Sequence, residues 1–272
     1  MSADSAYCAE NLENGELKHA YGDNVHLISD PYHLSLLATL SAQVTMQPLV
    51  NRLVSKLYTD LIARVVSREF PTMTQAVDTR MIEHTPLGVF TGETIDPSTQ
   101  AVCVDIARAG MLPAQVCFDA LNYVLDPPGV RQDHLIMNRV TDGEGQVVGA
   151  RIFGEKTGGA VAGKTLLFPD PMGATGASLC KAISYYKDLP GGPPAKIITM
   201  NLIVAAEFIR HVRVTHPEVV IYAYRVDRGL SDPDVLASLP GTYPERERGL
   251  NDLQYIVPGA GGLGEVINNV FV

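Results

Sequence analysis

The stretch LLFPDPMGATGASLC, Leu166–Cys180, joins an apolar run to an aspartate and a series of small residues. The apolar run predicts a buried strand, and the residues Ser178–Leu189 predict a helix after it. Open α/β sheets bind ligands at the carboxyl ends of their parallel strands, which is where this connection lies. Backbone N–H groups of Gly173–Ser178 can converge on one anion, aided by the helix N-terminus and two hydroxyls. We therefore predict a phosphate-binding loop.

Asp170 stands between the apolar run and the small residues. A carboxylate repels phosphate but suits the hydroxyls of a sugar, directly or through Mg²⁺, so loop and acid together indicate a ribose 5-phosphate. A simple glycine-rich turn is the alternative for this stretch. No Gly-Lys-Ser/Thr occurs, and the formal G-x-G-x-x-G at Gly259–Gly264 is followed by only eight residues of this sequence. Neither a P-loop nor a dinucleotide fold is therefore expected.

Strand and helix patterns alternate along most of the chain. Apolar runs predict strands at 101–107, 134–138, 147–153, 164–168, 196–204 and 219–224, and helical patterns occur at 113–125, 178–189 and 206–214. This order is typical of an α/β fold whose mainly parallel sheet is covered by helices on both faces.

We predict a polar N-terminal segment, 1–30, and a single domain over 31–272. The domain begins with a helical segment, 31–70, which Pro48 interrupts, and continues with a core, 83–228. An insertion rich in Gly, Pro and charge follows at 229–249, and a base-binding loop and final strand at 250–272. The second helix carries an apolar stripe with a period of four residues, expected to serve the core or a dimer contact: Leu49, Leu53, Leu57, Leu61 and Val65.

Composition limits the class of protein. The chain has 272 residues, a formal net charge of -9 and a pI of about 5.2, which argues against nucleic acid as a partner. No apolar run is long enough for a membrane span, and the polar, acidic start does not resemble a signal peptide. We expect a cytoplasmic protein with reduced thiols at its four cysteines, Cys8, Cys103, Cys117 and Cys180.

Several motifs together resemble the uracil phosphoribosyltransferase family. Asp170–Ser178 is similar to that family's loop for phosphoribosyl pyrophosphate (PRPP), and Tyr255–Gly259 matches the start of its uracil loop. Further elements agree in order, at Thr85–Gly88, Ile106–Gly110, Asn138–Val140 and His216–Val219. The resemblance implies a type I phosphoribosyltransferase fold with a C-terminal hood over the base, and transfer of ribose 5-phosphate from PRPP to uracil, giving UMP and pyrophosphate.

The resemblance also implies residue roles. Arg108 and Arg139 would hold the pyrophosphate side, and Asp170 the ribose hydroxyls, with Asp170 and Arg108 the catalytic residues. Alternatively, Arg139 pairs with Asp142 or Glu144 on the surface. The PRPP loop would comprise Asp170, Pro171, Met172, Gly173, Ala174, Thr175, Gly176, Ala177 and Ser178, and the base would lie against Tyr255, Ile256, Gly261, Gly262 and Leu263. Mg²⁺ would arrive with PRPP; no histidine shows metal-ligand spacing. A homodimer is implied, without membrane or nucleic-acid partners.

The base loop departs from the family pattern. The family continues Gly-Asp-Ala-Gly-Asp-Arg, whereas Gly262 and Val266 replace its first aspartate and its arginine here, and Glu265 keeps an acid nearby. Two alternatives to uracil transfer follow: transfer to another pyrimidine or heterocycle, or a non-catalytic sensor of PRPP or nucleotide.

Overall fold

The computed structural model describes residues 4–7, 12–13, 15–141 and 147–270. The strands are β1 (Leu12–Glu13), β2 (Glu16–Leu17), β3 (Val25–Leu27), β4 (Thr72–Asp78), β5 (Val89–Ile95), β6 (Ala101–Ala107), β7 (Val130–Thr141), β8 (Val147–Lys156), β9 (Thr165–Pro169), β10 (Met172–Gly173), β11 (Lys196–Ala205) and β12 (Val220–Asp227). The helices are α1 (Pro31–Ser41), α2 (Leu49–Glu69), α3 (Met111–Leu121), α4 (Ala177–Lys187), α5 (Ala206–Thr215), α6 (Pro233–Leu236) and α7 (Leu263–Ile267).

The main sheet has the strand order β3-β12-β11-β9-β6-β7-β8, and the short β10 pairs with β11. Neighbouring strands are parallel except β7 and β8, which are antiparallel. The predicted α/β fold with a mainly parallel sheet is confirmed.

Helices cover both faces of the sheet. Along β6, Ala101 and Cys103 pack into a core with α2 and α3, while Val102 and Val104 face the core under α4 and α5. Successive side chains of a strand point to opposite faces, so a strand buried on both sides has an apolar sequence such as that at 101–107, where only Asp105 is polar.

The two N-terminal helices form where the sequence predicts them. Asp30 caps α1 by accepting a hydrogen bond from the His33 N–H at 3.0 Å, and Pro71 follows the end of α2. In the stripe of α2, Leu49 is exposed, but Leu53, Leu57, Leu61 and Val65 are buried inside this chain. The stripe therefore belongs to the core and is not available to a dimer partner.

Three features differ from the sequence-based expectation. Strand β3 lies within the predicted N-terminal segment yet is a buried edge strand of the main sheet, because three residues are too few to show a pattern. β4 and β5 form a separate, exposed hairpin that we did not predict. Before the predicted final strand, Leu263 and Ile267, four residues apart, bury the same face of helix α7 in the core shared with α2; residues 268–270 form no strand, and 271–272 lie outside the described residues.

The described cysteines are Cys103, Cys117 and Cys180; all three are free and buried, and burial raises the pKa of each thiol. Reduced thiols are thus confirmed for these three, whereas Cys8 lies outside the described residues. Within the described ranges, none of the helices combines the length and apolar character that a membrane crossing requires.

Candidate functional site

Two connections flank one crevice at the carboxyl edge of the sheet. β6 and β9 are adjacent, but the chain passes from β6 to β7 on one side and returns to β9 on the other. Such a reversal of strand order is where open α/β sheets bind ligands. Arg108 follows β6 and Asp170 follows β9, so the fold brings the two predicted catalytic side chains to the same crevice.

Gly110 allows the turn after β6 to lie close to β9. A Cβ atom there would be 2.9 Å from Ile106 N and 3.1 Å from Pro169 O, both backbone atoms. The Ala107–Arg108 peptide is cis, and the Arg108 side chain is exposed at the mouth of the crevice. The turn thus presents the guanidinium without burying it.

The phosphate loop is held by β11 and α5. Asn201 Nδ2 donates to the Asp170 carbonyl at 2.6 Å, and His211 Nδ1 lies 2.7 Å from the Thr175 carbonyl oxygen. At Gly173 a Cβ would meet Val204 Cγ1 at 2.8 Å, so the residue must be small. Gly176 has a φ of 78° at the N-cap of α4, a conformation that favours glycine.

A cleft of ≈ 820 Å³ lies between the two connections and the C-terminal loop. It is lined by ten of the predicted site residues, Arg108, Asp170, Met172, Ala174, Ser178, Tyr255, Ile256, Gly261, Gly262 and Leu263. It is also lined by residues that sequence reasoning missed, among them Ile136, Met137, Asn138, Gln254 and Glu265. Two of them had a signal in the sequence: Glu265 is the acid kept near the family's aspartates, and Asn138 begins the family-like element Asn138–Val140.

The remaining predicted site residues lie beside this cleft, except Arg139, whose side chain is outside the described part of the structure. Thr175 and Ala177 line a neighbouring groove with Lys181 and His211, while Pro171, Gly173 and Gly176 shape the loop. Arg139 is in β7, but its side chain lies outside the described part of the structure, as do Asp142 and Glu144. Its assignment stays a prediction.

An ion pair at the end of β12 holds the C-terminal loop. Arg225 Nε and Nη2 donate to the two carboxylate oxygens of Asp227 at 2.6 and 2.8 Å. The same pair holds both backbone polar groups of Gly259: Asp227 Oδ2 accepts the Gly259 N–H at 2.7 Å, and Arg225 Nη2 donates to the Gly259 carbonyl at 3.0 Å. Asp227 is buried and Arg225 is largely buried, at 13% side-chain exposure, so the loop is fixed to a rigid strand.

Glu265 fills the space above Gly262. A Cβ at Gly262 would lie 1.7 Å from Glu265 Oε2, so the carboxylate occupies the volume that a side chain at 262 would need. The start of α7 also lies against the turn after β6, since a Cβ at Gly264 would be 3.3 Å from the Ala109 Cβ. Glu265 lines the same cleft as Arg108.

A buried acid lies near the end of β6. Asp105 is 2% exposed, and its Oδ2 is 2.9 Å from His134 Nδ1 on β7. Burial raises the pKa of Asp105, and the contact with His134 offsets part of the rise. Across the described ranges, no three His, Cys, Asp or Glu side chains group in a way that could hold a metal ion.

Comparison with known proteins relates this geometry to a family. A family model for uracil phosphoribosyltransferase matches residues 27–242, which include the turn after β6 and the phosphate loop. The uracil phosphoribosyltransferase of Acidovorax sp. (strain JS42) is 29% identical over 244 residues, covering 90% of this chain and 97% of the relative. That of Thermoanaerobacter sp. (strain X514) is 37% identical over 105 residues, 39% of each chain. The solved AQ2163 protein from Aquifex aeolicus shares the fold, with a TM-score of 0.69 at 21% identity over 91% of this chain and 99% of that one.

Proposed function

Because this chain belongs to the uracil phosphoribosyltransferase family and is a phosphoribosyltransferase, we propose that it transfers ribose 5-phosphate from PRPP to uracil, giving UMP and pyrophosphate. The observation that carries the proposal is one cleft lined by Arg108, Asp170, the phosphate loop and the C-terminal loop. A donor with a phosphate at one end and a diphosphate at the other fits between Arg108, Asp170 and the phosphate loop. The acceptor base then contacts the C-terminal loop.

The reaction needs a stabilised leaving group more than a strong base. The bond between the anomeric carbon and the pyrophosphate oxygen breaks, the base nitrogen bonds to that carbon, and the nitrogen loses its proton. Negative charge grows on the departing pyrophosphate while the sugar becomes oxocarbenium-like. Arg108, exposed at the cleft mouth, suits those oxygens because a guanidinium can donate two parallel hydrogen bonds.

The other residues position the substrates. The N–H groups of Ala174–Ser178 would take the 5′-phosphate, and Asp170 the ribose hydroxyls. The base would lie against Ile256 and the backbone of Gly261–Leu263, next to the Tyr255 ring. Mg²⁺ would enter as the PRPP complex, where Asp170 and Glu265 suit a hard cation by their oxygen donors. It would neutralise diphosphate charge there.

A different acceptor is the alternative, and the C-terminal loop favours it. Gly262 carries no side chain, Val266 is apolar, and Glu265 projects over Gly262. These differences lie in the C-terminal loop that would contact the base, so they bear on the acceptor, whereas the predicted PRPP loop Asp170–Ser178 keeps the family pattern. Transfer to another pyrimidine or a related heterocycle uses the same donor chemistry.

We also propose a homodimer. Strand β4 is exposed along its whole length, and the β4–β5 hairpin carries exposed apolar side chains, including Leu87 at 86% and Phe90 at 51%. A projecting two-stranded hairpin is marginally stable by itself and gains from a covering surface. A second copy of this chain is the proposed cover.

The test is incubation of purified protein with PRPP, Mg²⁺ and uracil, following UMP and pyrophosphate together. Equal amounts of both products are expected, and Asp170→Asn should reduce the rate at least ~100-fold, as loss of a positioned polar group does. Asp119→Asn, at an exposed site on α3, should keep the wild-type rate. Release of pyrophosphate in the presence of a different base, but not of uracil, would favour the alternative acceptor. PRPP binding without turnover of any base would refute the proposal.

A further inference from the structure

Gln254 has an unusual backbone conformation at the edge of the cleft. Its φ is 61°, in the left-handed region that glycine adopts without cost and that longer residues avoid. In the described part of the chain only Asn269, with a φ of 50°, is a second non-glycine residue of this kind. Asparagine tolerates this region better than glutamine does, so the choice of glutamine at 254 needs a reason.

Hydrogen bonds of the surrounding turn hold Gln254 in place. The Gln254 N–H donates to the Asn251 carbonyl at 2.8 Å, and the Asn251 N–H donates to the Tyr255 carbonyl at 3.0 Å. Asn251 Oδ1 also accepts the N–H groups of Leu253 and Tyr255 at 3.1 and 2.9 Å. Strain persists where neighbours fix the backbone in this way, and such positions are concentrated at ligand sites.

The side chain of Gln254 has a second unusual feature. Its Oε1 atom is buried and accepts no hydrogen bond from any described residue. A buried amide oxygen without a donor costs free energy, so native proteins rarely leave one unpaired. When the amide turns this oxygen toward the cleft, a bound ligand with an O–H or N–H donor would remove that cost.

Gln254 lies where such a ligand would be. It lines the main cleft with Ala174 and Ser178, and it lines the two adjoining grooves with Thr175 and His211. The next two residues, Tyr255 and Ile256, belong to the proposed base site. Gln254 thus stands between the phosphate loop and the base loop, beside the space for the ribose.

We propose that Gln254 is a ligand-binding residue whose side-chain oxygen accepts a hydrogen bond from a donor of the bound phosphoribosyl ligand, a ribose hydroxyl or a base N–H. The inference deepens the proposed function and rests on it for the identity of the ligand. It accounts for both features together: the turn keeps a strained glutamine because the amide is needed in the cleft.

Opposite effects on stability and binding test this role. Gln254→Gly removes both the strain and the unpaired oxygen, so the melting temperature without ligand should rise by about 2–4 °C. Affinity for Mg²⁺–PRPP or UMP, measured by calorimetry, should fall about tenfold. Gln254→Met keeps the length of the side chain but lacks the acceptor, and it should lose the same affinity. Asn269→Gly is the matched control, which should leave both affinities unchanged.

The ligand panel identifies the donor. Equal losses for ribose 5-phosphate, PRPP and UMP would assign the ribose hydroxyl, whereas a loss for UMP alone would assign the base N–H. Wild-type affinity for all three ligands in both Gln254 variants would overturn the inference. Wild-type protein that binds PRPP and UMP but forms no UMP from uracil would refute only the proposed acceptor, because binding still decides the role of Gln254. Wild-type protein that binds none of them would refute both.

Discussion

At the scale of single residues, Gly262 and Glu265 act as a pair. The missing side chain at 262 leaves room for the Glu265 carboxylate, which lies over it and faces the cleft. The departure from the family pattern removes the first of two acids, while Glu265, three residues later at the place of the second, extends into the volume that a side chain at 262 would need.

Gly262→Asp is therefore expected to lower kcat/KM, not to raise it. Two carboxylates would compete for one volume, and like charges at that distance disfavour each other's ionisation. We expect a loss of about tenfold, or ~1.4 kcal/mol. Gly262→Asp combined with Glu265→Gln relocates the single charge and should recover most of the rate. A gain in the single variant would mean that Glu265 does not replace the aspartate.

At the scale of elements, the end of β12 carries the C-terminal loop through Arg225 and Asp227. Arg225→Lys keeps the charge but cannot donate in fork geometry to both Asp227 oxygens and to the Gly259 carbonyl. We expect KM for the base to rise about tenfold, with the affinity for PRPP changed less than twofold. Arg52→Lys, exposed on α2, is the control. Equal weakening of both substrates would contradict a role confined to the base end.

The junction of α2 with the sheet predicts a dependence of stability on pH. Burial acts to raise the pKa of Glu69, but hydrogen bonds from Lys196 (2.8 Å) and Tyr222 (2.6 Å) more than offset it, so the pKa lies below its usual value. A lowered acid pKa adds stability that is fully present above the unfolded-state pKa of about 4.3 and is lost as pH falls through the folded-state pKa.

Glu69→Gln should therefore reduce the free energy of unfolding by about 2 kcal/mol at pH 7, the worth of hydrogen bonds to a charged group. The difference from wild type should shrink as pH is lowered from 5 toward 3. Urea unfolding at several pH values measures it. A difference that is constant over this range would show that packing, and not the carboxylate charge, stabilises the junction.

At the scale of the whole molecule, the core and the hairpin divide the apolar surface. Most of the apolar stripe of α2 is buried in the core, whereas apolar side chains of the β4–β5 hairpin are exposed: Met73, Val77, Leu87 and Phe90. We expect a dimer by light scattering, and Leu87→Asp with Phe90→Asp should give monomers that retain the wild-type circular dichroism. Tyr123→Asp is the control: Tyr123 is 88% exposed and follows α3, outside the hairpin, so this variant should remain dimeric. A monomeric wild type would exclude the hairpin as a dimer contact.

Much of the architecture was readable from local pattern. Apolar runs of five to nine residues placed six strands of the main sheet. In β6, β9, β11 and β12 the run is mostly apolar because these strands are buried on both faces. Pattern failed where an element is short or exposed. β3 has three residues, and β4–β5 alternates no apolar face because β4 is exposed throughout and β5 reaches the core only near its end, at Ile95.

The sequence by itself was enough to predict a phosphate loop, because small residues after a strand and before a helix leave several backbone N–H groups free to converge on an anion. Only the tertiary structure decided what surrounds it. Strand order brings Arg108 beside Asp170 from 62 positions earlier in the chain. Three further features depend on distances between groups that are far apart in the chain or set by packing. They are the contact of Glu265 with Gly262, the hydrogen bonds from Arg225 and Asp227 to Gly259, and the unpaired oxygen of Gln254. Such distances follow from packing of the whole chain, which no local pattern encodes.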